Sequence, residues 1–207
     1  MRLPRRPKAF DSDQFVFELK IDGWRSLAFI ENGECRLVSR NGRVFPGFDN
    51  LRAELLRRVK VSCILDGEIC CLDQNGRSAF YDLMFRREER ECYFFAFDVL
   101  FIGGEDIRGL PLLERKARLK RIVPRKPSRL LYVDHVETRG LKLFEKVCLL
   151  DLEGIVAKRK TSRYIVAEKP SPHWIKVKNP TYLRLKDARS LSSERRFCLD
   201  SNPRPKQ

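Results

Sequence analysis

Glu18-Leu19-Lys20-Ile21-Asp22-Gly23-Trp24-Arg25 sets a lysine inside an apolar run and follows it at once with an acid, a glycine and an arginine. Phe15, Phe17, Leu19 and Ile21 alternate with Val16, Glu18, Lys20 and Asp22, a period of two that predicts a strand with Glu18, Lys20 and Asp22 on one face. That face is a candidate active-site wall and Lys20 its nucleophile. A lysine amine titrates near ~10.4 in water and attacks at neutral pH only where burial or neighbouring cations lower that value. A surface lysine at a strand end is the plain alternative. The residues downstream have to decide between them.

Working outward, the strand runs through Gly23 into Trp24 to Glu31, turns at Asn32-Gly33 and returns over Glu34 to Arg40, an antiparallel hairpin by its turn residues. Ser39-Arg40-Asn41-Gly42 ends it and delivers Arg40 to a loop. Pro46 to Lys60 carries Phe48, Leu51, Leu55, Leu56 and Val59 at helical spacing. Val61 to Leu72 reads as a strand broken by Asp66-Gly67-Glu68; a turn would account for Asp66, whereas Glu68 before Ile69-Cys70-Cys71-Leu72 is harder to dismiss as loop. Tyr93 to Ile102 is apolar around a single acid, Asp98, and predicts a buried central strand with Phe97 beside that acid. Pro111 to Val123 reads as a basic amphipathic helix, Leu130 to Val136 as a strand, and Gly140 to Leu150 as a helix whose exit puts Asp151 in the left-handed position usual for glycine. Glu153-Gly154-Ile155-Val156-Ala157-Lys158 is a strand whose acid and lysine fall on opposite faces unless the glycine intervenes. Trp174-Ile175-Lys176-Val177-Lys178 is the last clear strand, with Lys176 and Lys178 on the face of Trp174.

Composition narrows the partners. In 207 residues, 43 Lys and Arg against 28 Asp and Glu leave a formal charge of +15, far from the balance of an ordinary metabolic enzyme and suited to a polyanion. Seven cysteines, an odd count without Cys-x-x-Cys spacing, read as small core residues in a reducing compartment, and with only two histidines a His-based metal site or triad is not expected. Met1 to Lys8 is basic with no apolar stretch behind it, so it does not read as a signal peptide, and no segment has the length and apolarity of a membrane span. The expectation is a cytoplasmic protein. Three segments follow: a basic arm over 1–9, a domain over 10–180, and a basic tail over 181–207 in which apolar periodicity fades and flexibility is expected.

Taken in order, K-x-D-G, S-R-N-G, D-G-E, F-D, E-G-I-V-A-K and W-x-K-x-K resemble the covalent nucleotidyltransferases, most closely the adenylation domain of bacterial-type ATP-dependent DNA ligases. The resemblance covers Phe10 to Pro180. It implies an α+β, ATP-grasp-like fold: two antiparallel sheets flanked by helices, with the nucleotide in the groove between them. It also implies that Lys20 attacks the α-phosphate of ATP, forms a lysine-AMP phosphoramidate and expels pyrophosphate, after which AMP passes to the 5′-phosphate of a nick in double-stranded DNA and the 3′-hydroxyl seals the break. By the same resemblance Glu18 lies at the adenine edge, Arg25 by the ribose and the DNA-side phosphate, and Arg40 on a phosphate. Glu68 would hold the ribose hydroxyl, Phe97 and Val156 would sandwich the adenine, and Lys158, Lys176 and Lys178 would surround the α-phosphate. Asp22 and Glu153 would organise Mg²⁺ or Mn²⁺. A monomer acting in DNA repair or recombination near the bacterial nucleoid, with a repair partner in trans, completes the expectation.

Two residues depart from the family pattern after Tyr164, where Ala167 and Lys169 replace a usual glycine and arginine, and Asp151 stands where glycine is common. The 29 residues after Lys178 do not resemble the small barrel, an OB-fold, that forms the family's second domain. The chain is therefore expected to seal a pre-adenylated nick better than it performs the complete reaction from ATP. An RNA ligase or mRNA-capping guanylyltransferase uses the same chemistry, and a nicked-DNA binder without turnover is the alternative of a different class.

Overall fold

β1 (Ser12–Leu19) buries Val16 and Phe17 on its two opposite faces, so it is packed from both sides. The computed structural model describes residues 3–74, 76, 78–80, 83, 91–166 and 169–182. The strand expected to run on through Gly23 into Trp24 stops at Leu19. Lys20 to Gly23 form instead the crossover between two sheets, because β2 (Trp24–Glu31) belongs to the other one. Gly23 is required there: a Cβ would lie 2.2 Å from the backbone oxygen of Ile69.

The first sheet has the order β10-β9-β1-β8, built from β1, β8 (His135–Thr138), β9 (Gly154–Arg159) and β10 (Trp174–Lys178), all antiparallel. The second runs β3-β2-β4-β5-β6, with β3 (Glu34–Ser39), β4 (Cys63–Cys71), β5 (Cys92–Ile102) and β6 (Glu105–Asp106). β7 (Leu130–Tyr132) adds to β5 in parallel, so this sheet is not wholly antiparallel as expected. The single strand predicted over Leu130 to Val136 is in fact two, β7 and β8, in different sheets. β4 is continuous through Asp66-Gly67-Glu68 and not broken there, because Asp66 has an ion-pair partner that lets a strand bury it.

α1 (Asp49–Arg58) and α2 (Leu112–Ile122) pack on the second sheet, where Leu51, Leu55 and Leu119 join Leu65, Phe94 and Val99 in the main core. α3 (Gly140–Leu149) covers the outer face of the first sheet through Val147, against Phe17, Ile155 and Val177. A third, smaller cluster of Val16, Leu112 and Trp174 lies between the sheets and closes one end of the groove. Asp151 adopts φ 50°, the left-handed conformation expected of it.

The basic arm is part of the folded unit. Lys176 N donates to Pro4 O and Arg6 N to Lys176 O, both at 3.0 Å, so residues 4–6 run along β10. Of the tail only Thr181 and Tyr182 are described; the rest, Ala167 and Asn75 lie outside the described residues. Cys35, Cys63 and Cys70 are buried thiols as expected, but Cys71 and Cys92 face each other across β4 and β5 and are joined in a disulfide, which the reading of all cysteines as free core residues did not anticipate. Among the described residues no helix is long and apolar enough to cross a membrane.

Candidate active site

The register of the first sheet composes one wall of the groove. Glu18 lies opposite Val156 and Val16 opposite Lys158, while Val156 pairs with Lys176, Lys158 with Trp174 and Gly154 with Lys178. Alternate residues share a face, so Glu18, Val156, Lys158, Trp174 and Lys176 all look into the groove. The second sheet supplies the facing wall: Arg25 lies opposite Glu68, Glu68 opposite Phe95, and Phe97 follows two residues on. Between them is a cavity of about 520 Å³ lined by Glu18, Lys20, Arg25, Arg40, Glu68, Phe97, Val156, Lys158 and Lys176. Phe97 and Val156 come from opposite walls, the arrangement needed to hold a flat ring between them.

Lys20 stands at the end of this cavity. Its backbone N–H donates to Gly154 O at 2.9 Å, which ties the crossover to the start of β9. Gly154, at φ 152°, has no room for a Cβ, which would sit 2.2 Å from Val177 O. The Lys20 amine donates to Glu153 Oε2 at 2.6 Å, and Lys178 Nζ lies 3.4 Å from the other oxygen of the same carboxylate. Lys178 is thus held beside Lys20 by Glu153 and does not line the main cavity. The expected face shared by Glu18, Lys20 and Asp22 is not formed, because Lys20 and Asp22 have left the strand. Asp22 and Glu153 instead line a second cavity of about 470 Å³ on the far side of Lys20, with Asp73, Ser78 and Tyr182. The Tyr182 hydroxyl donates to Asp22 Oδ2 at 3.0 Å. Glu153 thus lines the second cavity and Lys158 the first, the opposite sides expected of residues five apart on a strand.

Three buried ion clusters stiffen the walls. Glu18 accepts from Lys116 Nζ at 2.5 Å through Oε1, and Lys158 Nζ stands 2.5 Å from Oε2. Burial works against the Glu18 charge, but Lys158 and Lys116 outweigh it and hold its carboxyl below the usual range. With one carboxylate for two ammonium groups, one lysine is disfavoured: burial brings Lys158 down to about 8 against the pull of Glu18, and Lys116 adds to the fall. Lys158 also lies 4.3 Å from the Phe97 ring and 4.0 Å from that of Trp174. In the second cluster Arg25 makes a two-point pair with Asp66 at 3.1 and 2.7 Å, and the Tyr164 hydroxyl donates to Asp66 at 2.7 Å. Arg25 therefore reaches the cavity with its guanidinium already oriented from behind. In the third, Arg115 grips Asp98 at 2.9 and 2.8 Å and bonds the carbonyls of Leu110 and Ser162. Glu68 is half-buried, and loss of water pushes its carboxyl up to about 8 despite Lys20 and Arg25, so near neutral pH it can donate or accept a hydrogen bond.

Asp66, Arg115, Lys116 and Tyr164 were missed as site residues. For two of them a signal existed: Leu112, Arg115, Lys116 and Leu119 stand at i, i+3, i+4 and i+7, so both cations fall on the buried stripe of α2 and not on its solvent side. The partner of Lys116 is 98 residues away in sequence, which no local pattern exposes.

No group of three or more His, Cys, Asp or Glu able to hold a metal occurs among the described residues. Asp22 and Glu153 line one cavity and are the residues that would hold a hard cation such as Mg²⁺, which takes one or two protein carboxylates and fills its other positions with water and phosphate oxygen.

The comparisons agree with this geometry. Residues 4–178 match the family described as ATP dependent DNA ligase domain. The multifunctional non-homologous end joining protein LigD of Pseudomonas aeruginosa is 34% identical over 174 residues, covering 80% of this chain and 20% of that protein. The bifunctional LigD of Bacillus subtilis is 31% identical over 197 residues, covering 80% of this chain and 31% of that protein. The chain thus spans a third or less of these relatives. Among solved structures, mycobacterial DNA ligase D complexed with ATP and MES superposes with a TM-score of 0.74 at 28% identity, covering 86% of this chain and 59% of that one. The walls, the lysine at their junction and the match over 4–178 lead to one assignment: the chain belongs to the family of ATP-dependent DNA ligase catalytic domains, which are covalent nucleotidyltransferases.

Proposed function

We propose that this chain carries out nucleotidyl transfer for DNA sealing, taking AMP from ATP onto Lys20 and passing it to the 5′-phosphate of a nick in duplex DNA. The observation that carries the reading is the position of Lys20, at the junction of a cavity walled by Phe97, Val156 and Glu68 and a second one holding Asp22 and Glu153. The adenine would lie between Phe97 and Val156, with the ribose toward Glu68. Lys20 Nζ, giving up a proton, forms a bond to the α-phosphorus as the bond to the pyrophosphate oxygen breaks. The 5′-phosphate of the nick then takes the AMP from the lysine, and the 3′-hydroxyl displaces AMP as the phosphodiester forms. Little covalent help is needed for such transfers, but charge must be neutralised. Lys176 and Lys178 beside Lys20 supply it.

Asp22 and Glu153 would hold Mg²⁺, which when bound adds positive charge at the phosphates. Arg40, exposed on its loop and lining the cavity, is suited to a DNA or nucleotide phosphate. The charge of +15 supports a partner read through its phosphate backbone, and the reading includes a monomer working on DNA in the bacterial cytoplasm. Incubation with α-labelled ATP and Mg²⁺, followed by denaturing electrophoresis and a nick-sealing assay, tests it. Label retained by the wild type and lost in Lys20→Ala supports the reading; label that is absent from both, or present in both, contradicts it.

A further inference from the structure

β10 is the edge of the first sheet, and the arm of residues 4–6 adds a further short row to it. Arg5 bridges Lys176 in parallel, so the two side chains leave the sheet on the same side. Two residues earlier, Leu3 lines the 520 Å³ cavity and packs against the cluster of Val16, Leu112 and Trp174. One residue later, Arg6 turns to the opposite face, its guanidinium 4.1 Å from the centre of the Phe10 ring. The alternation is that of a strand: Leu3 and Arg5 face the groove, Arg6 faces away. Arg5 is exposed, and among the described residues it makes no ion pair. A row across the sheet thus runs Val156, Lys176, Arg5, spanning about 10 Å at ~4.8 Å per strand.

We infer that the arm is part of the nucleotide site, with Leu3 closing the apolar wall and Arg5 binding the phosphate chain of the triphosphate beside Lys176. The inference rests on the reading of this cavity as the ATP site. Glu153 is already shared by Lys20 and Lys178, so Arg5, which has no acid of its own among the described residues and stands next to Lys176, adds a further positive charge that favours an anion in the groove. The Lys176 amine registers the crowding: burial lowers its pKa first, Lys178 and Lys20 lower it further, Glu153 opposes them, and Arg5 makes the smallest contribution to the fall.

The test is calorimetric binding of two probes to the whole chain: adenosine, and an ATP in which a methylene replaces the α,β-bridging oxygen so that transfer is blocked. Arg5→Ala should weaken the triphosphate analogue about tenfold and leave adenosine within twofold, and Arg5→Lys should restore most of the loss. Leu3→Ala should weaken both probes, and Arg6→Ala neither. Melting curves of the Arg5 variants should match the wild type, since the side chain is exposed. An unchanged affinity for the analogue in Arg5→Ala, or an equal loss for adenosine, would overturn the inference while leaving the ATP site intact. Failure of the wild type to bind either probe would overturn the ATP-site reading and this inference together.

Discussion

Lys116→Met removes one of the two cations that hold Glu18, and its consequence can be worked from the contacts. The amine donates at 2.5 Å to Glu18 and at 3.0 Å to the carbonyl of Val133, with 1% of the side chain exposed. A hydrogen bond to a charged group contributes ~1.5–3 kcal/mol, and a buried carbonyl left without a donor costs ~1 kcal/mol. Methionine keeps most of the volume, so no large cavity forms. Relief of the repulsion between Lys116 and Lys158 offsets part of the loss, because Lys158 can then pair with Glu18 alone. The net expectation is a destabilisation of ~2–3 kcal/mol, or about 4–12 °C in Tm at ~2–4 °C per kcal/mol for a domain of this size. Urea and thermal unfolding measure it, with Lys120→Met, one turn along α2 and exposed, as the control within about 0.5 kcal/mol. A loss below ~1 kcal/mol, or one equal to that of the control, would refute the view that a buried Lys-Glu-Lys cluster stiffens the groove wall.

Three further outcomes follow from the same contacts. Lys158, brought down to about 8 from 10.5, binds its proton more weakly folded than unfolded, so its penalty is fully present below about pH 8 and is relieved as pH rises toward 10.5. The wild type should gain stability across that window relative to Lys158→Met, as urea midpoints in a pH series would record; a flat difference would be contrary. Asp66→Asn should cost ~2–3 kcal/mol by leaving Arg25 without its two-point partner, and Tyr164→Phe about 1 kcal/mol; chemical denaturation distinguishes them, and equal effects would mean that the ion pair is not the main contributor. Counting thiols in denaturant before and after reduction should give two more after reduction, from Cys71 and Cys92; equal counts would show that they are free.

Much of the framework was legible because it is local. The hairpin of β2 and β3 is written in Asn32-Gly33, the central β5 in its apolar run around the single acid Asp98, and the helices in their stripes. Lys20, Glu68, Phe97, Val156, Lys158 and Lys176 could be singled out as a set because their motifs recur in a fixed order, and they do meet in one cavity. What stayed hidden depends on the third dimension. Asp66 looks like a turn residue until Arg25 and Tyr164 are found beside it. Arg115 and Lys116 look like one more basic pair in a basic chain until Asp98 and Glu18 are seen across α2. The division of Leu130 to Val136 between two sheets, and the crossover that carries Lys20 out of its strand, are set by sheet pairing, for which a single sequence gives no register.

The central claim is that one lysine amine, Lys20, becomes covalently charged with AMP. Peptide mass spectrometry of the protein after incubation with ATP and Mg²⁺ tests it most directly. The account predicts one adenylyl mass on the peptide containing Lys20, removed by added pyrophosphate; an adduct on any other residue, or none at all under conditions where ATP is bound, would contradict it.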